Sequence, residues 1–379
     1  MSPDRSAGPT GVSPAVAVGA EPWRAAALAR QEPELPGGRV LVTCSAPFGG
    51  GGLGRHLAEI VGALDRRGAE SDYICEARAG QAADPAHEVV VRRKVALAPL
   101  TRRSPAWRLW SASVGFDRAA ARALRPADHL IGFNGTSLRQ FRAASCPVSL
   151  VSATAHMRRV VEQHRRAHRR YPLEPPWATR VLARNLAEYE RAERIHVSSR
   201  YVWESFLAEG FAEERLAMFP LTPDPRFSAP AAERRSSTYD LVYVGGLSVD
   251  KGVPLLIDAV AKVPFEDLRL LLVGGWKTRG MRAFVTRACA RDPRVSIAPG
   301  DPLERLRGAS LYVHPTYSDG FGYAPAEAMA CGVPVLVSED TGMKDLIEDG
   351  GRGAVLATGD LDALAEAIAA CYRGEMLAA

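Results

Sequence analysis

The stretch from Leu311 to Val335 constrains this chain more than any other. Leu311–Val313 is apolar and reads as the end of a strand. His314 to Asp319 follows, then the loop Gly320-Phe321-Gly322, then Tyr323-Ala324-Pro325-Ala326-Glu327-Ala328-Met329-Ala330. The run closes on Cys331-Gly332-Val333-Pro334-Val335. Gly320 and Gly322 permit positive φ and the close approach of a ligand. Pro325 suits the first turn of a helix, where no N–H is missed. Gly332 and Pro334 stop that helix within about two turns. Strand, open loop and short helix in this order predict an α/β unit whose helix N-terminus faces the loop. Such an N-terminus offers free N–H groups and a partial positive charge, which suits a phosphate. Asp319 lies before the loop and Glu327 near the third helical position after it. Both can accept hydrogen bonds from hydroxyls beside that phosphate. A sugar nucleotide, with phosphates flanked by two sets of hydroxyls, fits this chemistry. An acid at Glu327 also stabilises a helix start with no ligand. Ala324, read as preceding the helix, has no capping side chain, which argues against a complete capping box.

Strand-like and helix-like runs alternate along the rest of the chain, as in parallel α/β domains. The first half has Arg39–Cys44, Asp72–Cys75, Glu88–Val91, His129–Phe133, Val148–Ser152 and Ile195–Ser198. The second restarts with Tyr239–Gly245, Leu268–Gly275, Val295–Ala298, Leu311–Val313 and Val335–Ser338. Between them Leu221 to Pro230 carries prolines at 223, 225 and 230 and suits neither a helix nor a central strand. The sequence thus predicts a leader over 1–37, a first domain over 38–220, a linker over 221–238 and a second domain over 239–379. The leader is rich in Ala, Pro, Gly and Ser without a basic start and apolar core, so disorder is expected rather than a signal peptide.

The Asp319–Glu327 run resembles the signature of the retaining glycosyltransferases of family 4, glycosyl transferases group 1, over about residues 39–370. That pattern has an acidic residue, seven residues and a Glu, within a GFG loop and an EAMA-CG-PV helix. The first acid is usually Glu; Asp319 is one methylene shorter. The resemblance implies a GT-B fold, with two Rossmann-like domains facing a central cleft. It implies a nucleotide-sugar donor on the second domain and a glycan or lipid-linked hydroxyl acceptor on the first. Glu327 would hold the nucleotide ribose and Asp319 the donor sugar. Gly320, Phe321, Gly322, Tyr323 and Ala324 would line the donor, with the Gly322–Ala324 backbone on its diphosphate. No cofactor and no metal would be required.

Three other segments carry chemistry. Arg39 to Ile60 reads as strand, glycine loop and amphipathic helix. Its glycines at 49–52 can bring backbone close to a phosphate or sugar. It lacks the lysine of a P-loop. Gly51 and Gly52 resemble the family's GG loop near the donor phosphates and acceptor; a flexible surface turn is the plainer reading. Gly49, Gly51 and Gly54 also spell G-x-G-x-x-G, with Glu70 or Asp72 downstream, as in a dinucleotide oxidoreductase. That reading leaves the second half unexplained. Tyr243 to Val260 opens the second domain, and Lys251 precedes a helix near Pro254. A cation there can pair with the charge that grows on a departing diphosphate. Lys251 and Gly252 match the family's G-R-L…K-G, but Gly246 stands at the arginine position. Either another arginine reaches in, the enzyme is slow, or the chain is a nucleotide-binding scaffold. His156 ends the strand Val148–Ser152 and its loop, where open α/β sheets face their ligand. The family often places a His there, close to donor sugar and acceptor; a structural His is the alternative. His56, inside the helix, reads as packing or surface.

Composition narrows the partners. The net charge of +5 in 379 residues allows an anionic ligand, and no nucleic-acid motif accompanies it. Arginines at 158, 159, 165, 166, 169 and 170 recur at helical spacing, and Arg102-Arg103 precedes Trp107, Arg108 and Trp110. These suit either a solvated charged face or peripheral contact with an anionic membrane. No apolar run reaches the roughly 18 residues of a spanning helix. The six cysteines are far apart, with no CxxC pair, as expected in a reducing cytoplasm. Asp360-Leu-Asp362 imitates a metal-binding Asp-x-Asp, but its place before an apolar helix predicts a cap.

Overall fold

A computed structural model describes residues 34–76, 87–91, 105–229, 238–298, 300–348 and 350–377. The expected leader lies outside the described residues up to 33, as does 230–237 of the expected linker.

Strands β1 (Arg39–Thr43), β2 (Glu70–Glu76), β3 (Glu88–Val91), β4 (His129–Phe133), β5 (Val148–Ser152), β6 (Arg194–Val197) and β7 (Leu216–Met218) form one sheet in the order β3-β2-β1-β4-β5-β6-β7. Strands β8 (Tyr239–Val244), β9 (Leu268–Val273), β10 (Val295–Ile297), β11 (Leu311–His314), β12 (Val335–Ser338) and β13 (Gly353–Leu356) form the other, ordered β10-β9-β8-β11-β12-β13. Each pairing is parallel, with Val42 opposite Ile131 and Tyr312 opposite both Val242 and Val335. The apolar runs read from the sequence are these strands. Val40, Val42, Leu241 and Val242 are wholly buried, as expected where helices cover both faces. β7 and β13 were not anticipated: they are short edge strands without alternation.

Helix 51–66 shows how the layers join. Leu57, Ile60, Val61 and Leu64 recur at helical spacing and are buried in the core shared with β1 and β4. Both sheets reverse strand order once, between β1 and β4 and between β8 and β11. Ligands of open α/β sheets bind outside the strand C-termini at such switch points. Here those ends carry the loops from Cys44 to Gly50 and from Asn134 to Ser137, and from Gly245 to Gly252 and from Pro315 to Gly322.

The two domains touch around these loops. Helix 157–170 and the segment after it reach from the first domain to the second. Arg159 donates to Asp340 at 2.7 Å, Tyr171 Oη to Asp258 at 2.7 Å, and the Val249 amide to Glu174 at 2.8 Å. Ala167 and Tyr171 are buried in the second domain's core. Among the described residues no helix is long and apolar enough to cross a membrane.

Candidate active site

The second domain brings its charged groups together at the β8/β11 switch point. Lys251 Nζ lies 2.8 Å from Asp319 Oδ2, and His314 Nε2 lies 3.0 Å from the same oxygen. Gly252 fixes the lysine's turn: its φ is +70°, and a Cβ there would stand 1.9 Å from the Pro315 carbonyl oxygen. Burial opposes ionisation of Asp319, but the Lys251 ammonium and the His314 hydrogen bond outweigh it and hold the carboxyl below the usual carboxylate range. Burial also lowers the His314 pKa, so the neutral ring donates from Nε2. Next to Lys251, the buried Asp250 is held low by Lys277, His164 and Lys251 against the cost of its burial. A cation and two carboxylates are therefore ionised together inside the cleft.

Helix 323–330 starts two residues earlier than a start after Ala324 predicts. Gly322, at φ +91°, is the N-cap and offers no side-chain bond. The first helical bond runs from the Ala326 amide to the Gly322 carbonyl. Among the described residues the Tyr323 and Ala324 amides have no acceptor. Glu327 is consequently the fifth helical residue, not the third. Gly320 differs from the expectation of positive φ. Its lack of a Cβ is needed because one would lie 2.2 Å from the Ala153 carbonyl oxygen of the first domain. Ser199 Oγ donates to the Gly320 carbonyl at 2.6 Å and pins the loop there. The Phe321 side chain is buried in the core, so only its backbone can meet a ligand.

Glu327 is 5% exposed, and Arg55 of helix 51–66 pairs with it. The same guanidinium lies 4.2 Å over the Tyr323 ring, whose hydroxyl donates to Glu59 at 2.7 Å. Burial raises the Glu327 pKa, and Arg55 offsets part of the rise. A Cβ on Gly52 would be 3.7 Å from the Tyr323 ring, and Gly51 begins the helix at φ +61°. Thus the expected glycine loop is a helix start facing the donor-side loop. Arg55 and Glu59 carried no recognisable pattern beyond helical spacing from the glycines.

Among the described residues, the side chain that reaches Gly246 is a lysine rather than an arginine. A Cβ there would stand 2.9 Å from Lys277 Cε and 3.7 Å from its Nζ. The Lys277 amide donates to the Leu247 carbonyl at 3.2 Å, so the loops after β8 and β9 run side by side.

His156 corrects an expectation. It is 1% exposed, caps helix 157–170 through the Arg158 amide, and packs against Tyr189, Phe206 and Phe211. Its ring sits in the first domain's interior. Burial pushes its pKa down to about 4. His56 packs against Phe133 and Phe219. Asp360 caps helix 361–372, and Asp362 pairs with Lys262. Among the described residues no three or more of His, Cys, Asp and Glu gather to hold a metal ion. The arginine stripe is partly committed: Arg159 binds Asp340, Arg158 binds Glu209 at 3.2 Å, and Arg170 donates to the Gly359 carbonyl. Arg102 and Arg103 lie outside the described residues. The acids offered for the dinucleotide reading are misplaced. Glu70 and Asp72 sit near the start of β2, whereas a ribose-binding acid belongs at its C-terminal end.

Two parallel-sheet α/β domains facing a cleft define the GT-B fold. Solved structures agree. Sucrose-phosphate synthase from Thermosynechococcus elongatus has a TM-score of 0.66 at 20% identity, over 89% of this chain and 92% of that one. WaaG, a glycosyltransferase involved in lipopolysaccharide biosynthesis, gives 0.65 at 21% identity, over 89% and 91%. Anabaena HepE in complex with UDP gives 0.59 at 17%, over 90% and 91%.

More particularly, residues 227–378 match the family described as Glycosyl transferases group 1. A D-inositol 3-phosphate glycosyltransferase of Mycobacterium sp. (strain KMS) is 33% identical over 145 residues, 36% of this chain and 33% of the relative. The capsular polysaccharide biosynthesis glycosyltransferase CapM of Staphylococcus aureus is 30% identical over 144 residues, 36% and 37% of the two chains. The chain spans about a third of the length of these curated relatives.

Proposed function

We propose that this protein is a retaining glycosyltransferase of family 4. It would move a sugar from a nucleotide-sugar donor to a hydroxyl acceptor in glycan or glycoconjugate synthesis. The observation that carries the reading is the meeting of Lys251, Asp319 and the open helix start at Gly322 on one switch point. The donor diphosphate lies against the Tyr323 and Ala324 amides and between the ammonium groups of Lys251 and Lys277. These preformed charges stabilise the diphosphate as its bond to the sugar breaks. Lys277 takes the place that Gly246 leaves open. Asp319 accepts hydrogen bonds from the sugar hydroxyls while Lys251 and His314 hold its orientation. Glu327 accepts the ribose hydroxyls once Arg55 releases it. The acceptor oxygen bonds to the anomeric carbon on the face the diphosphate leaves, and its proton passes to a departing phosphate oxygen. No covalent enzyme intermediate and no metal enter this scheme. Closure of the two domains excludes water.

Relatives named for D-inositol 3-phosphate and capsular polysaccharide glycosyl transfer, and a fold neighbour solved with UDP, support this class. The free state of all six cysteines accords with a reducing compartment such as the cytoplasm. Trp107 and Trp110, 42% and 37% exposed, keep peripheral contact with an anionic membrane as part of the proposal.

Proton NMR of the product formed from UDP-, GDP-, ADP- and TDP-sugars tests the reaction. Transfer with the donor's anomeric configuration kept supports it, and inversion overturns the retaining assignment. Diphosphate binding with no turnover for any donor would favour the scaffold reading, which the absence of an arginine at Gly246 keeps open.

A further inference from the structure

The cleft contains a cavity of about 600 Å³ that shares only Lys277 with the donor-side assignments. That volume suits a compact organic molecule. Leu53, Leu109, Ala112, Phe133, Met157 and Trp177 form its apolar wall. Its other end meets the second domain at Asp250, Lys277 and Thr278. Ala153 and Thr154 also line it, and Gly320 packs directly on them. The cavity and the donor loop therefore share a boundary.

The polar groups in the wall are largely paired with one another. Asn134 Nδ2 donates to Thr154 Oγ1 at 3.3 Å and to Asn185 Oδ1 at 3.1 Å. Asn185 Nδ2 donates to the Val181 carbonyl at 2.8 Å. Glu174 accepts from Thr278 Oγ1 at 2.7 Å and from the Val249 amide at 2.8 Å. A glycan entering here would bury a ring of hydroxyls against groups already satisfied, which is unfavourable. An apolar body would remove hydrocarbon and aromatic surface from water on both sides, which is favourable. Asp250 and Lys277 charge the end that meets the second domain, and Arg108, next to Leu109, also lines the cavity. At the opposite side Leu109, 39% exposed, forms a lip on the helix that also exposes Trp107 and Trp110.

We propose that this cavity selects an acceptor by a compact aromatic or alicyclic group, with the acceptor hydroxyl directed toward Lys277. The inference rests on the donor-site reading, because only that reading makes the occupant an acceptor. Ala112 lies in the wall and is 6% exposed, so a larger side chain there fills the cavity.

Calorimetric titration of the full chain with 2-naphthyl β-D-glucoside and methyl β-D-glucoside isolates the apolar group. The naphthyl probe is expected to bind at least about tenfold tighter, from the aromatic area it buries. Ala112→Trp should lose about tenfold of that affinity, and Leu109→Asp, at the exposed lip, a few-fold. Equal binding of the two glucosides overturns the proposal. So does tighter binding of maltotriose, or undiminished naphthyl binding in both variants. Thermal stabilisation by UDP, GDP, ADP or TDP, read on the same samples, reports folding of each variant and the donor site separately. Naphthyl binding without any diphosphate stabilisation would support the cavity as an apolar-ligand site and overturn its assignment to an acceptor.

Discussion

The second domain concentrates charge where the first domain conceals it. At the β8/β11 switch point Lys251, Asp319 and Asp250 are ionised together, and short loops from two neighbouring strands hold them. In the first domain His56, His156 and His196 are buried and neutral, and the face toward the cleft is a largely apolar cavity. The difference follows from what each side must recognise. A nucleoside diphosphate always presents phosphate charge and ribose hydroxyls, so its site needs fixed charges at fixed spacing. An acceptor has no such constant part, so its site can be built from scattered side chains by tertiary packing.

Four changes can break or sharpen this contrast. The largest effect is expected from Lys251→Ala, which should lower turnover about 10²–10³-fold by removing a preformed charge at the leaving group. Arg165→Ala, on the exposed stripe of the first domain, should change it less than about twofold. Equal losses, measured as initial rates at saturating donor, would erase the contrast.

Acid should loosen the first domain before the second. Burial holds His56 at about 3 and His156 and His196 at about 4, below the ordinary 6.5. Between those values the unfolded chain binds more protons than the folded one. Their contribution to stability is therefore complete above about 6.5 and is lost as pH falls toward about 4. The second domain buries one histidine, His314, and its bond to Asp319 opposes the shift. Hydrogen exchange, corrected for its intrinsic pH dependence, should show protection lost first around β1, β5 and β6. Earlier loss around β8 and β11 would contradict the assignment.

A smaller effect is expected at Lys277. Lys277→Ala should weaken diphosphate affinity about tenfold, and adding Gly246→Arg to it should recover most of the loss. Gly246→Arg alone meets the Lys277 chain at 2.9 Å and should gain little. No recovery in the double variant, by calorimetry, would separate Lys277 from that role. The smallest change is expected from Arg55→Met. It frees Glu327 for the ribose and should strengthen nucleotide binding a few-fold; weaker binding would make Arg55 part of the donor site instead.

Much of this was legible in the chain itself. The apolar runs marked the inner strands, because strands buried on both faces cannot alternate. β7 and β13 were not read, although the equally short edge strands β3 and β10 were. The run from Asp319 to Glu327 was readable because loop and helix lie next to each other in sequence. The reason for Gly320 was not, since it depends on the Ala153 carbonyl of the other domain. Arg55 meets Glu327 across 272 residues, and Lys277 fills the space beside Gly246 from a different strand end. Such pairings arise from packing, and no local spacing announces them. His156 misled because a strand end suggests a ligand, whereas an aromatic cluster from three other segments encloses the ring.

The central claim is that the second domain's switch point is a donor-diphosphate site gripped by Glu327. Titration calorimetry with UDP, GDP, ADP, TDP and NADH, on the protein and on Glu327→Ala, tests it most directly. One diphosphate should bind selectively, and the variant should bind it at least about tenfold more weakly through loss of the ribose hydrogen bonds. Binding of NADH alone, or a diphosphate held equally well without Glu327, would contradict the account.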